Sequence, residues 1–248
     1  MRTVGVDLAA QPENTAIAVI QWDSGTARLV EVVRPADDDA VVRCTDGAEK
    51  VGIDCPLGWP DTFLTFLYRH HFSAGPVDMH TPPEEWRHSL AYRLTDEYVR
   101  EVRQMTPLSV ATDRIGITAM RAARLQGLLA KQGHDVNRLG TGLIVEVYPA
   151  AGLKHWDMDH RQYKGTKNVT ALDGLVAKLG ELAPWLDLGQ FKDICRASDH
   201  VFDAVIAALL ARACVLGKTD PPDKAQRDRI AREGWIALPT CPLDALRG

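Results

Sequence analysis

Residues 200–217 read HVFDAVIAALLARACVLG, and apolar or small side chains occupy nearly every side of the stretch. A helix that is apolar all round belongs in an interior. The rest of the chain therefore has to supply the layers that cover it. Asp203 lies one turn in, too deep to act as a cap. Burying a lone carboxylate is costly unless it is paired or bound to a metal. The same stretch thus constrains both the fold and the chemistry.

Short apolar, β-branched runs elsewhere read as strands. TVGVD ends at Asp7, and 15–21 (TAIAVIQ) and 27–33 (ARLVEVV) flank WDSG, whose glycine suits a hairpin turn. VGIDC at 51–55 is a fourth buried-type strand, stopped by Pro56, and GLIVEVYP at 142–149 is a fifth. GWIALP at 234–239 is a candidate for a last one. A helix is expected after Asp37–Asp39, whose acids suit a first turn. Others are expected over 113–132, ending at Gly133, from Pro149 onward, and near 166–180 and 199–216. Residues from 56 to about 110, rich in proline, histidine and aromatic side chains, read as an irregular insertion with short helices near 61–70 and 84–104. A hairpin-first order followed by alternating strands and helices describes one α/β domain over 1–248, built on a mixed sheet.

The 248 residues are 46% hydrophobic and 25% charged, with a net charge of −4 and a pI near 6.1. That balance is ordinary for a globular protein. With no broad basic field, any contact with nucleic acid has to come from a local patch. The cysteines (Cys44, Cys55, Cys195, Cys214, Cys241) include no C-x-x-C pair, which argues against a zinc ribbon or a dithiol redox site. Asp7 interrupts the apolar start before a signal-peptide core can form, and no apolar run reaches bilayer length. A cytoplasmic protein with no membrane partner is the expectation.

Three of the strands carry one carboxylate each near the C-terminal end: Asp7, Asp54 and Glu146. Ligand sites in open α/β sheets lie just beyond the carboxyl ends of strands. Asp203 makes a fourth acid, and Asp199 lies one turn earlier on the same helical face. Acids gathered closely repel one another, which raises their pKa values unless cations neutralise them. Carboxylate oxygens suit hard ions, so Mg²⁺ or Mn²⁺ is the expected cofactor, with Asp7, Asp54, Asp203, Glu146 and Asp199 as candidate ligands. Two such ions about 3.5–4 Å apart would serve phosphoryl displacement. Each acid also has a plainer reading. Asp7 would start a turn, Asp54 would cap the following loop, and Glu146 would pair with an arginine such as Arg93. Asp199 would be a helix-start residue favoured by the dipole. Asp203 resists any such account.

The segments GVDLA, IDCPLGWP, YRLTDEYVR, EVYPAA, YK, DAVIAALLAR and EGWI resemble the family known as domain of unknown function 429, over about residues 3–239. The ID-x-PLG and EVYP segments are the most specific. That family is described as predicted nucleases with an RNase H-like fold. The resemblance implies an RNase H-like mixed five-stranded sheet, its first three strands antiparallel, flanked by helices, with a helical insertion after the fourth strand. It also implies that Asp7, Asp54 and Asp203 are the acids of the first strand, fourth strand and late helix, with Glu146 as a further ligand or supporting group. Arg93, Asp96 and Arg100 match the family's R-x-x-D-x-x-x-R pattern. On one helix face they would form a clamp able to hold phosphate bidentately, or else an ordinary exposed salt bridge. Tyr163, Lys164 and Lys167 offer further phosphate contacts or a solvated loop. Trp59 and Trp86 would stack on bases or pack in the core.

The leading expectation is therefore a metal-dependent nuclease that hydrolyses phosphodiester bonds. Asp7, Asp54, Glu146 and Asp203 would form its catalytic centre, with Arg93, Arg100 and Lys164 on the phosphate of a nucleic-acid or nucleotide substrate. Two other classes stay open. One is a nucleotide-binding phosphotransferase of the actin and sugar-kinase type, which shares the sheet topology but needs two domains. DLAAQPENT also lacks the glycine expected of a first phosphate loop. The other is a non-catalytic binding module that keeps the acids structurally.

Overall fold

The computed structural model describes residues 1–73, 75, 78 and 80–248. Among these, six strands form one mixed sheet: β1 Arg2–Asp7, β2 Ala16–Asp23, β3 Thr26–Val33, β4 Lys50–Ile53, β5 Ile144–Glu146 and β6 Leu186–Asp187, in the order β5-β4-β1-β2-β3-β6. The first three strands pair antiparallel, as expected, while β4 runs parallel to β1, β5 to β4 and β6 to β3. Five strands were expected from the sequence. The sixth, β6, is two residues paired with Ala27 and Arg28, too short to leave a period-2 apolar run. GWIALP is not a strand. It makes an isolated parallel bridge, Glu146 to Ile236, because only one register position meets β5.

The described helices are α1 Asp38–Thr45, α2 Asp61–His71, α3 Pro83–Ala91, α4 Leu94–Arg103, α5 Ile115–Lys131, α6 Pro149–His155, α7 Val169–Leu182, α8 Lys192–Ala197, α9 Asp199–Val215 and α10 Arg227–Glu233. The single helix expected over 84–104 is two. Arg93 is extended, and its N–H donates to the Asp96 carboxylate at 2.9 Å, which starts α4 afresh. Successive strand side chains point to opposite faces. Val4, Val6, Ile17, Val19, Val51 and Ile53 pack with α1 and α5 on one face. Ala16, Ala18, Ile20 and Val145 pack with α6, α7 and α9 on the other.

α9 is the apolar stretch, capped by the Ser198 hydroxyl accepting from Val201 N and buried from Val201 to Ala213. Its seat on the sheet depends on two glycines. Gly5 and Gly52 are register partners on β1 and β4. A Cβ on Gly5 would lie 1.9 Å from Ala204 O, and one on Gly52 would lie 2.5 Å from Ala207 O. The helix backbone therefore rests directly on the strands, which brings Asp203 level with their C-terminal ends. No described helix is long and apolar enough to cross a membrane.

The insertion places α2, α3 and α4 between β4 and α5, and a buried acid of α10 fastens it. Glu233 accepts from Asp61 N at 2.8 Å and Leu94 N at 2.9 Å, the first N–H groups of α2 and α4. Helix starts leave such donors without partners and favour negative charge, so one carboxylate serves both.

Candidate metal centre

Asp7 ends β1 and Asp54 directly follows β4. The parallel register pairs Val6 with Ile53, and Asp54 N donates to Val6 O at 2.9 Å, so the two acids emerge side by side. Asp203 reaches the same point from α9. One carboxylate oxygen from each of the three lies within 4.8 Å of the others, and no other such acid group occurs among the described residues. Asp203 is 1% exposed and Asp7 8%. A cavity of about 400 Å³ opens over Asp7 and Asp54, lined also by Tyr148, His160 and Lys164, the partner of Asp203. A larger one, about 830 Å³, lies between α2 and α3, away from the triad.

The electrostatics of the three acids follow from crowding. Burial, then the charge of Asp7, pushes the Asp203 carboxyl up to about 6, while the Lys164 ammonium and the Tyr163 hydroxyl restrain it. Asp54 is driven well above the usual carboxylate range by burial first and then by Asp7, Asp203 and Glu146, against the pull of Lys164. Lys164 Nζ is 2.6 Å from Asp203 Oδ2, and Tyr163 donates to Oδ1 at 2.8 Å. Burial works against that ammonium, but Asp203, Asp54 and Asp7 outweigh it and hold its pKa above the lysine norm. One ammonium does not neutralise three carboxylates. The donor set is all oxygen and negative in excess, and that fits a hard divalent cation such as Mg²⁺ or Mn²⁺.

His200 belongs to this centre, although nothing in the sequence singled it out. Its Nδ1 lies 2.6 Å from Asp7 Oδ2, and that contact, opposed by burial, raises the imidazole pKa. The available signal was spacing: His200 precedes Asp203 by three residues, so both lie on one helix face.

The remaining candidates go elsewhere. Arg93 is 1% exposed and holds no free donor. Its Nε and Nη2 donate to Asp96, Nη1 and Nη2 to Glu146 at 2.9 and 2.7 Å, and Nη1 to Glu233 O. Those are all five N–H groups of a guanidinium, so Arg93 has none left for phosphate. Glu146 lines the cavity, but its oxygens receive Arg93 and Leu57 N, and it stands outside the three-acid group. The sequence's plainer reading of Glu146 as a partner of Arg93 describes the contact. Asp199 also stands apart. Its Oδ2 accepts from Gly165 N at 2.8 Å, tying down the turn that carries Tyr163 and Lys164. Arg100 is exposed and meets Glu97 at 3.5 Å and His88 at 3.1 Å, without lining the cavity. Trp59 packs on the core cluster beside α5, and Trp86 edges onto Phe66.

The family whose sequence model matches this chain, over residues 5–227, is described as a protein of unknown function (DUF429). No curated protein and no solved structure gives a match.

Proposed function

The chain belongs to the DUF429 family, and from the centre it carries we propose that it is a divalent-metal-dependent nuclease hydrolysing phosphodiester bonds. The observation that carries this reading is the convergence of Asp7, Asp54 and Asp203 at the C-terminal edge of two parallel strands. An RNase H-like domain over 1–248, with the insertion at about 56–110, is supported by the antiparallel β1–β3 meander and by β4 and β5 running parallel beside β1.

Asp7, Asp54 and Asp203 would hold the cation. Mg²⁺ or Mn²⁺, when bound, lowers the pKa of an attacking water and offsets charge on the phosphoryl oxygens. His200 steadies Asp7 through Oδ2 and leaves Oδ1 without a donor. Such supporting contacts typically set ligand orientation. Glu146, fixed by Arg93, forms a rigid negative wall behind Asp54. Lys164 and Arg93 both line the cavity beside the acids, but every Arg93 donor is engaged, so Lys164 would be the residue to meet a phosphate of nucleic acid or nucleotide. All five cysteines are free thiols, which suits a reducing compartment such as the cytoplasm.

The test is hydrolysis of single- and double-stranded DNA and RNA and of bis(p-nitrophenyl) phosphate, with Mn²⁺ or Mg²⁺ and with EDTA. Metal-dependent cleavage is expected, falling on the order of 10²–10³-fold in Asp7→Asn, comparable to losing one preorganised group that stabilises a transition state. The variant should keep its melting temperature. Undiminished cleavage by it would remove the reading. A non-catalytic module is the second reading, favoured by one observation: both oxygens of Asp203 already receive donors from Tyr163 and Lys164. Titration with Mn²⁺ separates the two, since a module without a metal site gives no heat in the micromolar to millimolar range.

A further inference from the structure

The two donors on Asp203 are not equivalent. Tyr163 is neutral and buried among apolar side chains, packed edge-on against Phe202. It is a fixed part of the wall. Lys164 is charged, its side chain is 56% exposed, and it sits on the turn anchored by Asp199 through Gly165 N. Among the described residues no other lysine or arginine forms an ion pair with Asp7, Asp54 or Asp203. Arg93, the nearest alternative, has every donor engaged.

We infer that Lys164 is a displaceable counter-ion: it gives up Asp203 Oδ2 when a divalent cation is held by the three acids, and its ammonium then turns to the phosphate of the substrate. This rests on the metal-dependent reading above and goes beyond it, because it makes metal binding and phosphate binding one coupled event. An ammonium and a divalent cation on the same carboxylate oxygen repel each other, strongly where the dielectric is low. The divalent ion carries twice the charge and meets three acids where Lys164 meets one, so Lys164 yields. A flexible four-carbon stem, already half in solvent, lets the ammonium move without disturbing the turn. Tyr163 stays and keeps Asp203 aimed. Such coupling is reciprocal. A bound phosphodiester holds Lys164 away from Asp203 and so tightens the cation, and the cation frees Lys164 and so tightens the phosphodiester.

The measurement is calorimetric titration of Mn²⁺ into the full chain at about pH 8, for wild type, Lys164→Met and Lys164→Gln, with and without dimethyl phosphate as a non-reacting phosphodiester probe. Both variants are expected to bind Mn²⁺ about tenfold tighter than wild type without the probe, within the usual span of site coupling. Dimethyl phosphate should tighten Mn²⁺ on the wild type and leave both variants unchanged. Unchanged or weaker Mn²⁺ binding in the variants, or an equal effect of the probe on all three proteins, overturns the counter-ion inference and leaves the metal reading standing. No Mn²⁺ binding by any of the three overturns both.

Discussion

Two groups of buried acids lie near one another at the C-terminal edge of the sheet, and the chain treats them in opposite ways. Around Arg93, the carboxylates of Glu146 and Asp96 meet a guanidinium whose five N–H groups are all engaged, and Leu57 N adds a third donor to Glu146. Around Asp203, three carboxylates share one lysine and one histidine, and Asp7, Asp54 and Lys164 line a cavity whose wall Arg93 and Glu146 also join. Both groups raise the pKa of an acid by burial, as Glu146 and Asp203 each show. Burial of an acid therefore does not mark a functional site. The distinguishing feature is whether every carboxylate oxygen receives a donor: among the described residues those of Glu146 and Asp96 all do, whereas Asp7 Oδ1 and both oxygens of Asp54 receive none.

The largest expected effect tests the closed group. Arg93→Met would leave Glu146 and Asp96 buried without their cation, and breaking a buried pair by removing one partner costs about 3–5 kcal/mol. Urea denaturation of wild type and variant measures it. Asp54→Asn, on the open group, should instead leave the metal-free protein as stable or slightly more so, because it removes a carboxyl whose ionised form is disfavoured by burial and then by its acidic neighbours. Should Arg93→Met cost less than Asp54→Asn, the two groups would have been assigned the wrong way round.

A smaller effect is expected from pH. Asp203 titrates at about 6 in the fold against 3.8 for an ordinary aspartate. The folded state thus keeps a proton that the unfolded chain has already released. Over that interval the folded state binds more protons, so this group's contribution to stability falls as pH rises, by up to about 1.4 kcal/mol per pH unit. Melting curves in EDTA for wild type and Asp203→Asn check this. The wild type should lose ground to the variant from pH 4 to pH 6 and then level off. Added Mn²⁺ should restore the wild type above pH 6 and leave the variant unmoved. Parallel curves for the two proteins would mean that Asp203 carries no such strain.

The same contrast explains what the sequence disclosed. Asp7 and Asp54 at strand ends and Asp203 in α9 are visible because a carboxylate inside an apolar run violates the pattern, so all three stand out in one dimension. α9 could be anticipated from its uniform apolarity, and Gly5 and Gly52 account for its close seat only once the register is known. Arg93 could not be placed, because a guanidinium bound to phosphate and one bound to Glu146 obey the same spacing, and fifty-three residues separate the pair. Glu233 and His200 were missed for a related reason. Each acts across the fold, on helix starts far away or on Asp7, and neither breaks a local pattern. β6 and the bridge at Ile236 are too short to have a pattern to break.

The smallest expected effect concerns the two arginines of a single R-x-x-D-x-x-x-R segment. Arg93 stands at the start of α4 and turns inward, whereas Arg100, two turns on, pairs with Glu97 at 3.5 Å with about half of its side chain in solvent. An exposed pair of this kind is worth roughly 0–1 kcal/mol. Arg100→Ala should shift stability by less than about 0.5 kcal/mol and leave phosphodiester hydrolysis within about twofold, a near-neutral change beside the loss expected for Arg93→Met. The measurement has force because the two residues share a motif, so equal sensitivity would favour the motif as the functional unit. If Arg100→Ala weakened hydrolysis of a long oligonucleotide tenfold, with bis(p-nitrophenyl) phosphate unaffected, the exposed face of α4 would be part of the path of a polymeric substrate. The open group would then extend beyond the cavity that Lys164 lines, and its boundary with the closed group would run through α4 itself.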